Sequence, residues 1–320
     1  MILGSAQQLS LESGGKQNMG KTTIGWTQES WNPARGCSRV SKGCERCYAE
    51  RMAARQLPGM RFGDGSPLAV MKSDGPHWTG RVELIPHMLS VPLHRKTPTI
   101  WFVNSMSDLF HENLKWAQIE QVFAVMQKCP QHTFQVLTKR ADNAQQFSKN
   151  WAFRHNGPLP NCWMGVSCED QKAAAERVPL LLKTPAAVRF VSAEPLLGPV
   201  DFGPWLSRKI SPDRQPVENH QVGIDWVIVG GESGPGARPM HPDWARSIRD
   251  ECEAAGVPLF FKQWGAFSPT LPSKHAVNVA RGDGTHHRMY RVGKKSAGHL
   301  LDGREWYQMP ELKIRKLADH

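Results

Sequence analysis

Three cysteines stand within eleven residues, Cys37, Cys44 and Cys47, in the spacing C-x6-C-x2-C. A closed structural zinc site or a fully ligated iron–sulfur cluster takes four protein ligands. Three thiolates leave one metal position open, and an open position is where a small chelating molecule binds and reacts. Gly36 and Gly43 each precede a cysteine, where backbone freedom lets a loop wrap an inorganic core. A helix-forming run, Tyr48 to Gln56, follows directly, and its N-terminus would face the negatively charged cluster. The competing reading is a zinc knuckle completed by Cys129, Cys162, Cys168 or one of thirteen histidines. Zinc loops usually pair two C-x2-C units, and only one is present, so the spacing favours the cluster.

Such a loop needs a frame, and the rest of the chain supplies a recurring unit. Short apolar, β-branched or aromatic runs end in polar residues. Thr99 to Val103 runs into Asn104, Ser105 and Asp108; Thr133 to Leu137 into Lys139 and Arg140; Cys162 to Val166 into Glu169. Val188 to Val191 runs into Glu194, Asp225 to Val229 into Gly230, Gly231 and Glu232, and Val257 to Phe261 into Lys262 and Gln263. Near-continuous apolar runs suit strands buried on both faces. Ser30 to Arg35 and Arg81 to Leu84 are weaker strand candidates. Amphipathic helices are expected over Leu114 to Lys128, Gln171 to Leu182 and Pro242 to Ala255. Alternating strands and helices predict an α/β fold, a full or partial (β/α) TIM-like barrel, with a doubly wound open sheet as the rival.

Barrel enzymes place their sites at the carboxyl ends of strands, where these polar tails fall. Asn, Ser, Asp and Glu also cap helices there, so one such residue signifies little, and the recurrence over six strands is the signal. Lys139 and Arg140 suit a carboxylate or phosphate, and Asp108 and Glu194 suit hydroxyl or amino groups of a ligand. The Gly230-Gly231-Glu232 turn suits close backbone approach to an anion, or is a plain strand-to-helix turn. Twelve tryptophans are expected mainly in the core, and the isolated Cys129, Cys162, Cys168 and Cys252 as buried small hydrophobes.

Lys and Arg total 40 against 29 acids in 320 residues, a net charge of +11 that favours polyanionic partners, nucleic acid above all. No apolar run approaches a membrane span, so no membrane partner is expected. An odd seven cysteines and no signal pattern place the chain in a reducing cytoplasm. Residues 1–20 read as a flexible extension, 21–267 as the barrel with its cysteine loop, and 268–320 as a basic arm or small subdomain. Irregular insertions are expected over Gln56 to Gly80 and Pro204 to Gly223, both without periodicity.

Several runs resemble a known family. They are Gly25-Trp26-Thr27, Ser30-Trp31-Asn32-Pro33, Gly36-Cys37, Gly43-Cys44-Glu45-Arg46-Cys47-Tyr48-Ala49-Glu50-Arg51 and Phe102 to Phe110. Leu137 to Arg140, Ser192 to Pro199 and Gly230 to Gly234 belong with them. Together, from about Lys21 to Trp264, they resemble the phage-associated three-cysteine-motif family, which is radical S-adenosylmethionine-like. The resemblance implies a [4Fe–4S] cluster on Cys37, Cys44 and Cys47 whose open iron chelates S-adenosylmethionine. It implies release of a 5′-deoxyadenosyl radical that modifies or repairs a substrate, with nucleic acid or a nucleotide as the substrate class. A reductase or flavodoxin-type electron donor is implied too. Candidate cofactor contacts are Asn104, Ser105, Asp108, Lys139, Arg140, Glu194, Glu232 and Lys262. The first cysteine gap is longer than in the common C-x3-C-x2-C motif. Arg46 stands where that motif has an aromatic residue, and Tyr48 follows the last cysteine instead. The alternatives are a non-catalytic, zinc-stabilised nucleic-acid-binding protein and a barrel hydrolase using the strand-end carboxylates.

Overall fold

The structure is a computed structural model that describes residues 22, 24–57, 59–207 and 222–311. Residues 1–20 therefore lie outside the described residues, as do most of the Pro204 to Gly223 insertion and the end of the tail. Seven parallel strands form one sheet in sequential order: β1 (Glu29–Trp31), β2 (Ile100–Val103), β3 (Thr133–Thr138), β4 (Cys162–Ser167), β5 (Val188–Ala193), β6 (Trp226–Gly230) and β7 (Leu259–Gln263). Parallel neighbours need crossover connections, and the helices of six residues or more that serve them are α1 (Tyr48–Ala53), α2 (Trp116–Gln127), α3 (Ala141–Arg154), α4 (Gln171–Leu182) and α5 (Pro242–Ala255). The sheet curls into a partial barrel, so the sequential α/β expectation holds and the doubly wound order does not.

Alternation along each strand divides the core. Trp101, Val103, Phe134, Val136, Met164, Val166, Val191, Val227, Val229 and Phe261 point outward to the helices and form the larger cluster. Phe102, Trp163, Phe190, Trp226, Ile228 and Phe260 point inward and meet Trp26. Gly165 on β4 makes room there, because a Cβ would overlap the Phe190 ring. Trp26 touches rings from both halves of the sheet, with centroids 4.7 Å from Phe102 and 6.2 Å from Trp226. Gly25 packs on Phe260 of the far strand. The segment before β1 thus crosses the open side of the half-barrel and fills its floor with aromatic surface.

The edge of β7 is covered by the tail. The Phe261 N–H donates to the Trp306 carbonyl at 2.7 Å and the Gln308 N–H to the Leu259 carbonyl at 3.0 Å. Covering an edge in this way removes a template for unwanted strand pairing.

Some expected elements differ. Glu83–Leu84 does not join the barrel but pairs antiparallel with Ala34–Arg35. Only Ser30 and Trp31 of the Ser30 to Arg35 candidate enter the main sheet, in β1, because Pro33 lacks the N–H a ladder needs. The helix after Cys47 ends at Ala53 rather than Gln56. Helix α3 is not anticipated, although Ala141, Ala144, Phe147, Ser148 and Trp151 mark one buried face. Gln56 to Gly80 is not wholly irregular: Ala69–Lys72 and Gly75–Trp78 form a hairpin joined by the two-residue turn Ser73-Asp74. The tail builds a three-stranded antiparallel sheet, Phe267–Ser268, His286–Arg291 and Ala276–Ala280, whose Phe267, Met289 and Val279 join the main core.

Candidate metal centre

The three cysteines sit in the long β1–β2 connection, beyond the carboxyl ends of the strands. Gly36 takes φ 87°, and a Cβ there would strike the Arg81 carbonyl, so only glycine lets the chain turn into the loop. Cys47 is the N-cap of α1. Burial raises the Cys47 thiol, opposed by backbone N–H groups of Glu50 and Ala49 and by the charge of Lys139. Cys47 thus stands at the helix N-terminus, although its side chain makes no capping hydrogen bond. Burial also pushes Cys37 up to about 12, with Asp108 adding to the rise and Arg140 opposing it.

Four ion-pair clamps hold this loop against the strand ends. Arg39 lies between the cysteines and donates to both oxygens of buried Glu50, at 3.0 and 3.1 Å from Nε and 2.8 Å from Nη2. Glu50 also accepts the Trp78 N–H at 2.8 Å, and Arg39 reaches the Pro76 carbonyl, so the hairpin braces the loop. Arg140 donates to Asp108 at 3.2 Å, Glu112 at 2.5 Å and the Ser38 hydroxyl at 2.7 Å, and its Nη1 stands 4.0 Å from Cys37 Sγ. Burial disfavours the Arg140 charge, but Glu112, Asp108 and Cys37 outweigh it. Glu169 pairs with Arg177 at 2.9 Å and accepts the Gly43 N–H at 3.4 Å; burial raises its carboxyl, and Arg177, Ser41 and Lys139 bring it below the usual range. Arg238 grips both oxygens of Glu232 and extends to Glu45 and the Lys42 carbonyl.

The structure thus brings all the expected site residues to one mouth, in two groups. Asp108, Arg140 and Glu232 are saturated by protein partners. Asp108 accepts the Thr138 hydroxyl at 2.7 Å and the backbone N–H groups of Lys139 and Phe110 as well. Ser105 is bound to Asn32 Oδ1 through its N–H at 2.7 Å and its hydroxyl at 3.1 Å, and its carbonyl accepts Tyr48 OH at 2.8 Å. The second group lies above the aromatic floor. Glu194 meets Lys262 Nζ at 3.0 Å and Trp26 Nε1 at 3.3 Å, and Lys139 Nζ meets the Ser167 hydroxyl at 3.2 Å. Asn104 is 4% exposed, and neither its amide nitrogen nor its oxygen has a partner. A buried amide left unpaired is costly.

Two rival chemistries find less support in this geometry. Hydrolysis by a carboxylate pair needs one acid kept neutral beside an ionised partner. Asp108, Glu169, Glu194 and Glu232 each carry their own Arg or Lys instead. Ser38, His111 and Glu112 imitate a nucleophile triad, with Ser38 Oγ 2.8 Å from His111 Nε2. Yet His111 Nδ1 accepts the Asn113 N–H at 3.1 Å, which leaves the ring proton on Nε2, pointing at the serine. A base cannot take a proton through a nitrogen that already holds one.

The donor set fits a cluster. The charges that raise Cys37 include Cys44 and Cys47, so the three thiols share one neighbourhood. Among the described residues no three His, Cys, Asp or Glu side chains gather as a single ion requires. Thiolates on one zinc all lie about 2.3 Å from it, whereas those on a cubane each bind a different iron. Cys129, Cys162, Cys168 and Cys252 are buried in the outer core, as expected of small hydrophobes. Residues that the sequence reading does not single out include Arg39, Glu50, Arg177, Arg238 and Asn32. Asn32 and Ser105 are 73 residues apart, and although Arg39, Arg177 and Arg238 lie only 11, 8 and 6 residues from their carboxylates, these spacings are longer than the one-turn step that pairs neighbours on a helix.

No helix among the described residues is long and apolar enough to cross a membrane. No curated protein matches the chain. Solved structures similar to it include a spore photoproduct lyase variant with a dinucleoside spore photoproduct, at 9% identity and TM-score 0.38, covering 86% of this chain and 72% of that one. A second lyase variant, with bound AdoMet and the same dinucleoside, is similar at 9% identity and TM-score 0.38, over 87% of this chain and 72% of that one. The matched family is described as proteins of unknown function, DUF5131, and since its profile spans residues 21–310, this chain belongs to that family.

Proposed function

We propose that this chain is an iron–sulfur enzyme of the radical S-adenosylmethionine type, akin to the phage-associated three-cysteine-motif proteins and working in a reducing cytoplasm. The observation that carries the reading is three free, half-buried thiols on one loop beyond the carboxyl ends of a curled parallel sheet, with Cys44 and Cys47 near enough to Cys37 to raise it. When bound, a [4Fe–4S] cluster on Cys37, Cys44 and Cys47 would pass one electron to S-adenosylmethionine chelated at its open iron and so yield a 5′-deoxyadenosyl radical that takes a hydrogen atom from substrate.

The chain's own residues do the rest. Arg140 and Lys139 offset the negative charge that three thiolates bring. Arg39–Glu50, Arg177–Glu169 and Arg238–Glu232 fix the loop, and Ser105 and Asp108 fix the strand ends beneath it. Asn104, Lys139, Glu194 and Lys262 are left to orient the cofactor: Lys139 suits its carboxylate, and Glu194 its hydroxyl or amino groups. The aromatic floor keeps water from below. A reductase or flavodoxin-type donor would supply electrons, and the substrate is a nucleic acid or nucleotide-derived molecule, which the +11 charge favours.

Anaerobic reconstitution tests this. A brown protein with about four irons per chain is expected, and alanine at Cys37, Cys44 or Cys47 should abolish the colour while leaving the circular dichroism intact. A colourless protein carrying zinc alone overturns the reading.

A further inference from the structure

Between Ser268 and Leu300 the chain carries six cations, Lys274, Arg281, Arg288, Arg291, Lys294 and Lys295, against the single acid Asp283. The small antiparallel sheet built by this segment has two unlike faces. Val277, Val279, His287 and Met289 lie on one, where Val279 and Met289 are buried against the barrel. Paired residues fall on the other: Ala276 with Tyr290, Asn278 with Arg288, and Ala280 with His286. That second face is turned outward. It carries a guanidinium beside an aromatic ring, Arg288 lying 5.8 Å from the Tyr290 centroid. Arg281 is tied to Asp243 and Asp283, whereas Lys274, Arg288, Lys294 and Lys295 have no carboxylate partner among the described residues.

Position gives this charge a purpose. Arg291 donates to the Gly234 carbonyl at 3.0 Å, and Ala266 donates to the Glu232 carbonyl at 2.8 Å. The same turn carries Arg238, which reaches Glu45 and the Lys42 carbonyl, so the sheet stands one turn away from the cysteine loop. A polymer lying on the outer face is therefore delivered to the rim of the mouth.

We propose that this three-stranded sheet, with the turn at Lys294 and Lys295, is a track for single-stranded nucleic acid. Unpartnered cations match the phosphate backbone, and Tyr290 offers a stacking face for an unpaired base. The unit's only helix, Lys294–Ala297, is four residues long, and Val279 and Met289 pin its hairpin to the main core rather than leaving it free to enter a duplex groove as a ribbon. The sheet would bind whether or not the barrel carries iron; only its role as the substrate track rests on the radical reading.

Fluorescence anisotropy on the full chain, with a labelled single strand of roughly 20 nucleotides, tests the inference. Binding should weaken with rising salt. Joint replacement of Lys274, Arg288, Lys294 and Lys295 by alanine should lower affinity at least about tenfold and flatten the log–log salt slope by roughly 0.7 per lost phosphate contact. Tyr290→Ser should lower affinity about tenfold with the salt slope unchanged. Thermal melting should match the parent for both variants. Unchanged binding by the quadruple variant overturns the inference, as does a preference for the duplex or for anionic phospholipid vesicles. The assay reads protein with or without iron, so a failed reconstitution and a failed track are separate results.

Discussion

Glu194 shows how much a single position at the mouth depends on its neighbours. Its carboxylate is steadied by Lys262 and Trp26, and it leans over Gly230 of the adjacent strand, where a Cβ would stand 2.5 Å from Oε1. The next glycine faces something stiffer: a Cβ on Gly231 would collide with the Trp264 backbone carbonyl. Two adjacent glycines should therefore fail differently. Gly230→Ala displaces a flexible carboxylate, so it should weaken S-adenosylmethionine binding while shifting the melting temperature little. Gly231→Ala forces backbone apart in a packed core and should cost about 1–3 kcal/mol of stability. Calorimetric binding and thermal melts on both variants separate the two, and equal losses of stability would contradict the assignment. At this scale the sequence makes the cysteines plain, because their spacing is local. It also picks out Asp108 and Glu232, but not that Arg140 and Arg238 occupy them, since ion pairing is a matter of three-dimensional proximity.

Where α/β repetition would put an α-helix between β5 and β6, the described part of the chain makes a short 3-10 turn, Gly203–Trp205, capped by Phe202. The Phe202 and Gly203 N–H groups donate to Glu251 of α5, at 2.8 and 3.1 Å. Burial pushes the Glu251 carboxyl up to about 7, with Asp201 and Asp250 adding to the rise and the two N–H groups opposing it. A carboxyl raised in the folded state binds its proton more tightly there than in the unfolded chain. Folding is thus favoured below the ordinary carboxylate range and loses that contribution as pH climbs toward about 7. Denaturant titrations over this window should show stability falling with pH, and Glu251→Gln should flatten the trend; a parental slope in the variant would contradict it. Most strands and three helices are readable from apolar runs and helical spacing. Helix α3 escapes because its buried face is built from Ala, Ser and Gln as much as from Phe147 and Trp151. Glu83–Leu84 is misplaced because a two-residue run carries too little pattern to tell a barrel strand from a brace.

The whole molecule is an aromatic-floored half-barrel whose open side is crossed by the segment around Trp26 and whose last strand is sealed by the tail. The same tail carries a large part of the positive charge to the rim above the cysteine loop. Composition reveals the charge, but only the docking of the small sheet against Gly234 shows where it lies. One measurement bears on the central claim more than any other: electron paramagnetic resonance of the anaerobically reduced protein, with and without S-adenosylmethionine. The account predicts a reduced [4Fe–4S] signal that changes shape when S-adenosylmethionine is added, because the ligand occupies the iron that no side chain holds. A signal indifferent to S-adenosylmethionine, or one that survives replacement of Cys44, would contradict it.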